Sequence, residues 1–92
     1  MTVTVTQDLQ IINEKGLHAR ASAKFVETVE RFDATVLVEK DGLEVSGDLI
    51  MGLLMLTAPR GSTIRITIRG AEAAQLGDAL AALVGDYFGE GM

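Results

Sequence analysis

The chain of 92 residues contains no cysteine and a single histidine. Without cysteine, a disulfide framework, a thiolate metal site and a cysteine nucleophile are excluded. One histidine also excludes a multi-histidine metal cluster. The only imidazole that the sequence offers for catalysis is therefore that of His18.

Basic residues are in the minority, with 8 Lys and Arg against 13 Asp and Glu and a net charge of −5. Nucleic-acid binding is not expected, because phosphate-backbone affinity needs a clustered basic surface. No apolar run approaches the roughly 18–20 residues of a membrane span, so membrane insertion is not expected either. The first ten residues lack the basic and apolar regions of a signal peptide. We expect a cytosolic protein.

Hydrophobic residues make up 48% of the chain, which is enough to build one small core. We expect one domain over residues 1–92. Alternation of apolar and polar residues predicts strands, and helical spacing predicts helices. The strands are expected at residues 2–12, 34–39, 43–45 and 63–69, and the helices at 19–30, within 49–56 and at 71–88.

The predicted order is β-α-β-β-α-β-α. Asp41-Gly42 is a strong hairpin signal, and Asp48 is the expected N-cap of the second helix. Strands with one polar face suit an antiparallel sheet, and the helices must then cover its other face. The sequence therefore predicts an α+β fold in which three helices lie on one side of a four-stranded antiparallel sheet.

The start of the first predicted helix breaks the usual rules for helix ends. His18 occupies the cap position in place of the usual Ser, Thr, Asp or Asn, and the first acidic residue of the helix is Glu27. Arg20 places a cation at the positive end of the helix dipole, which costs roughly 0.3–1 kcal/mol. Local rules tend to fail at functional sites. We therefore expect the cap to be an external anion.

Phosphate fits this helix start. The backbone amides of Ala19 and Arg20 are expected to bind its oxygens, and the Arg20 guanidinium matches its geometry. His18 is placed to carry a phosphoryl group, since a neutral imidazole nitrogen is a nucleophile. Gly16 would give the loop room to approach the donor. A single histidine can equally be an inert surface residue, and the residue types alone leave both interpretations open.

The segment of residues 49–56 is more apolar than a short helix requires. Seven of its eight residues are apolar and the other is Gly52, whereas one buried stripe needs only about four. The expected core residues are Ile50, Leu53, Leu54 and Leu56. Met51, with Leu49 or Met55, should then lie near water and form a docking surface. The alternative is that loops cover the segment and all of it belongs to the core.

Two motifs together resemble HPr, the histidine-containing phosphocarrier family of the bacterial phosphoenolpyruvate:sugar phosphotransferase system. The first is Asn13 followed by Gly-Leu-His-Ala-Arg at residues 16–20, and the second is Ile-Met-Gly-Leu-Leu-Met-Leu at residues 50–56. The Phe-Gly-Glu sequence at residues 88–90 also fits. The resemblance covers nearly the whole chain and implies an open-faced β-sandwich.

By that resemblance, His18 accepts a phosphoryl group from phosphorylated enzyme I and passes it to an enzyme IIA protein. Arg20 would stabilise the phosphate during transfer. The shared docking face would consist of Leu49, Ile50, Met51, Leu54 and Met55. The resemblance implies a carrier with a covalent phosphohistidine, rather than a turnover enzyme, and no metal of its own. We expect a monomer that uses no cofactor.

This sequence departs from the family pattern at three places. Ala21 stands where the family usually has proline, so the helix start loses a residue that favours the first turn. Leu49 replaces the regulatory serine, and we do not transfer that role to Ser46. Glu27 and Glu30 stand where sugar-transport carriers often have lysines, which makes a carrier of the nitrogen-related branch plausible.

Two other functions compete with the phosphocarrier. One is a regulatory module that binds a partner through the Met51–Met55 surface, with little or no phosphoryl transfer. The other is a small-ligand sensor, which has weak support because no second polar cluster marks a pocket.

Overall fold

The computed structural model describes residues 2–92 and has the expected order of elements. Met1, which belongs to the expected domain of residues 1–92, lies outside the described residues. The strands are β1 (Val3–Gln10), β2 (Thr35–Lys40), β3 (Leu43–Ser46) and β4 (Thr63–Gly70). The helices are α1 (Ala19–Glu30), α2 (Ile50–Met55) and α3 (Ala73–Gly85), followed by a short 3-10 turn at Tyr87–Gly89.

The four strands form one antiparallel sheet in the order β1-β4-β2-β3. Alternation is clearest in β4, where Ile64, Ile66 and Ile68 are fully buried while Arg65 and Arg69 are exposed. One face therefore packs under the helices and the other faces solvent, which confirms the open-faced β-sandwich. None of the helices described for residues 2–92 combines the length and hydropathy needed to cross a membrane.

The loop between β1 and α1 is fastened to the segment that precedes β4. The Ile11 amide donates to the Ser62 carbonyl over 2.8 Å, and the Leu17 amide donates to the Ala58 carbonyl over 2.9 Å. The side chains of Ile11 and Leu17 are buried in the core. These contacts fix the position of the loop and therefore the position at which α1 begins.

The prediction that Asp48 caps α2 is wrong. Leu49, in an extended conformation, occupies the N-cap position and makes no side-chain hydrogen bond to the helix. Asp48 instead accepts a hydrogen bond from the Ser46 hydroxyl. A carboxylate that binds a neighbouring hydroxyl is drawn away from the helix amides, because local side-chain partners compete with the backbone.

The third helix is shorter than its hydrophobic pattern predicted. It ends at Gly85, and the chain then turns because Tyr87 and Phe88 both have positive φ, at 58° and 53°. Phe88 is fully buried, whereas Tyr87 is only partly buried. The left-handed turn redirects the chain so that Phe88 fills the core and residues 89–92 run toward the start of α1.

Candidate active site

His18 is the N-cap residue of α1. Its backbone is extended, with φ −77° and ψ −178°, and its carbonyl accepts the first helical hydrogen bond from Ser22. The ring atom Nδ1 accepts a hydrogen bond from the Arg20 amide over 3.3 Å. The expected cap position of His18 is therefore confirmed, but the expectation that the helix start lacks a side-chain cap is wrong, because the imidazole itself accepts from a first-turn amide. The side chain remains 25% exposed, so the ring is accessible while it lies against a backbone amide.

The other ring nitrogen of His18 contacts a residue to which the sequence assigned no role. His18 Nε2 lies 2.7 Å from Glu90 Oε2, although the two residues are 72 positions apart. The second carboxylate oxygen of Glu90 accepts a hydrogen bond from Asn13 Nδ2 over 3.2 Å. The Phe-Gly-Glu sequence was part of the family resemblance, but nothing local indicated that Glu90 would reach the histidine.

The Glu90 carboxylate is held ionised. Burial would raise the pKa of this carboxyl, but the hydrogen bonds from His18 and Asn13, together with the positive charge of Lys24, outweigh that effect. The pKa of Glu90 therefore lies below its usual value, and at neutral pH the group is a hydrogen-bond acceptor only.

Asn13 connects the Glu90 carboxylate to the loop that precedes His18. Its side chain is fully buried, and Nδ2 also donates to the Gly16 carbonyl over 2.8 Å. One amide group thus bonds both the loop and the carboxylate, which positions them relative to each other. The sequence identified Asn13 only through the family resemblance.

Packing and backbone conformation both require glycine at position 16. Gly16 is buried and has a φ of +66°. A Cβ atom at this position would collide with the Ala58 carbonyl oxygen and approach the Cα of Pro59 to 2.8 Å. Glycine is therefore required by packing inside the molecule and by a left-handed backbone, two reasons that the sequence did not indicate.

Arg20 contacts the His18 ring through its backbone amide. Arg20 also lines a shallow cavity of about 250 Å³ together with Glu90 and two lysines, Lys15 and Lys24. His18 lines a neighbouring depression with residues of the Thr57–Pro59 segment, and Lys15 borders both. Three cations therefore lie around the site, in a chain whose overall charge is negative.

The apolar segment 49–56 is not all core. Leu49, Met51 and Met55 are 59%, 71% and 63% exposed, while Leu53 and Leu56 are buried. Two residues differ from their expected place in the core, since Ile50 is 39% exposed and Leu54 is only partly buried. A helix of six residues has one buried stripe, so its remaining apolar side chains form a surface. We call Leu49, Ile50, Met51, Leu54 and Met55 the α2 surface.

The fold and the site together define a class of protein. It is an open-faced β-sandwich with an accessible histidine at the N-terminus of a helix, in a setting suited to phosphate. A family model described as the PTS HPr component phosphorylation site matches residues 5–86.

Relatives and solved structures give the same result. Phosphocarrier protein HPr of Neisseria meningitidis is 47% identical over 85 residues, which cover 92% of this chain and 96% of that protein. Phosphocarrier protein NPr of Escherichia coli is 35% identical over 89 residues, which cover 96% and 99%. A crystal structure of phosphocarrier protein HPr from Bacillus anthracis matches with a TM-score of 0.82 and 40% identity, covering 87% of this chain and 95% of that one. The chain belongs to the HPr family.

Proposed function

We propose that this protein is a phosphocarrier of the phosphotransferase system that holds its phosphoryl group on His18. The observation that carries the proposal is the accessible imidazole whose Nδ1 lies at the first amides of α1. In this proposal the donor is phosphorylated enzyme I, the acceptor is an enzyme IIA protein, and transfer takes place in the cytoplasm. Membership of the HPr family favours this function over a regulatory module that does not carry phosphate.

The proposed chemistry uses the lone pair of His18 Nδ1. A bond forms between Nδ1 and phosphorus as the bond between phosphorus and the donor atom breaks. The amides of Ala19 and Arg20 then bind phosphoryl oxygens, helped by the positive end of the helix dipole. The flexible Arg20 guanidinium swings from its cavity to pair with the charge that remains. Phosphoryl transfer depends mainly on positioning and charge stabilisation, so a small surface site is sufficient.

The proposal is tested by incubating the protein with enzyme I and phosphoenolpyruvate. We expect an acid-labile mass gain of one phosphoryl group, which fragmentation mass spectrometry places on His18. An established HPr in a parallel reaction shows that the enzyme I is active. If that control is modified and this protein is not, the proposed function is wrong.

We propose that the α2 surface docks both the donor and the acceptor. Replacement of Met51 by glutamate should slow phosphorylation by enzyme I at least about fivefold at low carrier concentration, since the loss of a central apolar contact in an interface can cost more than about 1 kcal/mol. Stability should change by less than about 0.5 kcal/mol because Met51 is exposed. The measurements are initial phosphorylation rates and urea unfolding.

Leu37→Glu is the matched control for Met51→Glu. Leu37 is 44% exposed, but it belongs to β2 and points to the open face of the sheet, away from the helices. The Leu37→Glu substitution should leave the phosphorylation rate unchanged. Equal slowing by both substitutions would mean that added negative charge, rather than loss of a docking contact, causes the effect.

A second candidate function is phosphoryl transfer to an enzyme IIA protein of the nitrogen-related branch. Glu27 and Glu30 are exposed on α1, where an incoming partner would meet negative charge, and the chain as a whole carries a net charge of −5. The phosphorylated protein can be offered a sugar-type and a nitrogen-type enzyme IIA separately. Faster transfer to the nitrogen-type acceptor supports this candidate, and faster transfer to the sugar-type acceptor rejects it.

A further inference from the structure

One nitrogen of the His18 ring contacts a hydrogen-bond donor, and the other contacts a hydrogen-bond acceptor. Nδ1 accepts a hydrogen bond from the Arg20 amide, which can only donate. Nε2 faces the Glu90 carboxylate, which is an acceptor. A neutral imidazole has one donor and one acceptor nitrogen. Both contacts are satisfied together only when the proton is on Nε2 and the lone pair is on Nδ1.

From this geometry we propose that Glu90 is a positioning residue that keeps the His18 proton on Nε2 while the phosphoryl group is transferred to and from Nδ1. The inference rests on the proposed function and assigns a task to Glu90, which lies beyond residues 5–86 matched by the family model. Glu90 would act through the ring, without contact to the phosphoryl group.

The proton on Nε2 matters because of the leaving group. When Nδ1 attacks phosphorus, the ring becomes a phosphoimidazolium with a proton on Nε2 and a positive charge next to the Glu90 carboxylate. When the phosphoryl group leaves for the next acceptor, the N–P bond electrons return to Nδ1 and the ring is again neutral. If Nε2 lost its proton in between, the leaving group would be an imidazolate anion, which leaves much more slowly. With Glu90 in place, the carrier completes the cycle without moving a proton.

The C-terminal segment, residues 87–92, is built to hold this carboxylate in place. Phe88 is fully buried and anchors the segment, and Lys24 Nζ donates to the Phe88 carbonyl over 2.6 Å. The positive φ angles of Tyr87 and Phe88 are unfavourable for these residue types. Such a conformation persists when surrounding contacts determine it. The segment therefore presents Glu90 as a fixed group.

Other charged groups border the same region and have to be considered in any pH dependence. Glu14 and Lys15 from the loop, and Arg20 and Lys24 from α1, line the cavity that Glu90 lines. The Glu14 amide, rather than a side-chain atom, bonds to the Met92 carbonyl, and Lys24 bonds to a backbone carbonyl. Replacement of Glu14 by glutamine consequently removes one nearby negative charge while it preserves the hydrogen bond between Glu90 and His18.

The first test determines which ring nitrogen of His18 carries the proton, and it requires no phosphoryl donor. In ¹⁵N-histidine-labelled unphosphorylated protein above pH 8, we expect Nε2 to give the chemical shift of a protonated nitrogen and Nδ1 that of an unprotonated one. In Glu90→Leu the two shifts should move toward each other. Glu90→Gln should resemble the wild type, because its amide oxygen can still accept from Nε2. If Glu90→Leu leaves both shifts unchanged, the inference is overturned.

The second test follows transfer from the phosphorylated carrier to an acceptor as a function of pH. The alkaline decline in rate should begin about one pH unit lower in Glu90→Leu, which makes transfer roughly tenfold slower on that side, the size expected for loss of a charge-assisted hydrogen bond. Glu90→Gln should fall in between, and Glu14→Gln should follow the wild-type profile. A uniform slowing at every pH would indicate a merely structural role and would contradict the inference.

These outcomes are separable from failure of the proposed function. If His18 is not phosphorylated in the wild type, the phosphocarrier proposal fails whatever the ring nitrogens show. If His18 is phosphorylated while Glu90→Leu matches the wild type in either test, only the role of Glu90 is wrong.

Discussion

Replacing His18 by alanine is expected to abolish phosphorylation by enzyme I completely, because the proposed acceptor atom is removed. The substitution should also lower the free energy of unfolding by about 1 kcal/mol, since the ring accepts a hydrogen bond from the Arg20 amide and removal of a helix cap typically costs this much. Mass spectrometry measures the first effect and urea denaturation the second. Neither effect alone identifies the histidine as the acceptor.

His18→Asn separates the two effects. Asparagine is a favourable N-cap, so its side-chain oxygen can bond the same amide, but it offers no nucleophilic ring nitrogen. We expect this variant to regain most of the lost stability and to remain unphosphorylated. Phosphorylation of His18→Asn at any site in the loop or in α1 would show that the phosphoryl group resides elsewhere, and the assignment of His18 would be rejected.

Gly16→Ala is expected to have the second largest effect. Its left-handed backbone costs an added Cβ about 1 kcal/mol, and the collision with the Ala58 carbonyl adds an overpacking cost of about 2 kcal/mol. The same carbonyl accepts the hydrogen bond from the Leu17 amide. The loop must therefore shift, and His18 shifts with it.

The expected results for Gly16→Ala are a loss of about 3 kcal/mol in unfolding free energy and phosphorylation that is about 100-fold slower, since a displacement of roughly 1 Å at a reacting group can cost that much. Rates are compared at a temperature where circular dichroism shows the variant to be folded. The displacement of the ring can be followed by the loss of the Nε2 contact with Glu90 in ¹⁵N spectra.

Gly42→Ala is the control for the backbone part of that cost. Gly42 also has a positive φ, at +86°, but the space around an added Cβ is open to at least 4 Å. This variant should lose only about 1 kcal/mol and keep the wild-type phosphorylation rate. If Gly16→Ala were no more destabilised than Gly42→Ala, the close approach at Ala58 would not be the reason for glycine at position 16.

The predictable part of the fold consists of elements whose signals are local. Alternation in β4 and helical spacing in α1 reflect which side chains face the core, and the Asp41-Gly42 hairpin follows from a turn in which both residues have positive φ. The predictions for the cap of α2 and for the end of α3 were wrong because each of these features depends on a competing contact. Asp48 bonds to Ser46, and the burial of Phe88 ends the helical path.

For the site, the sequence alone determined that His18 and Arg20 stand at the start of α1, because residues in neighbouring positions at a helix end need no tertiary information to be placed together. It also indicated that part of residues 49–56 must be exposed, since one short helix cannot bury so many apolar side chains. Only the tertiary structure decided that the imidazole caps its own helix, that Gly16 is packed against Ala58, and that Glu90 reaches Nε2. Contacts between residues far apart in the chain depend on how separate elements pack, and a local sequence pattern does not predict that packing.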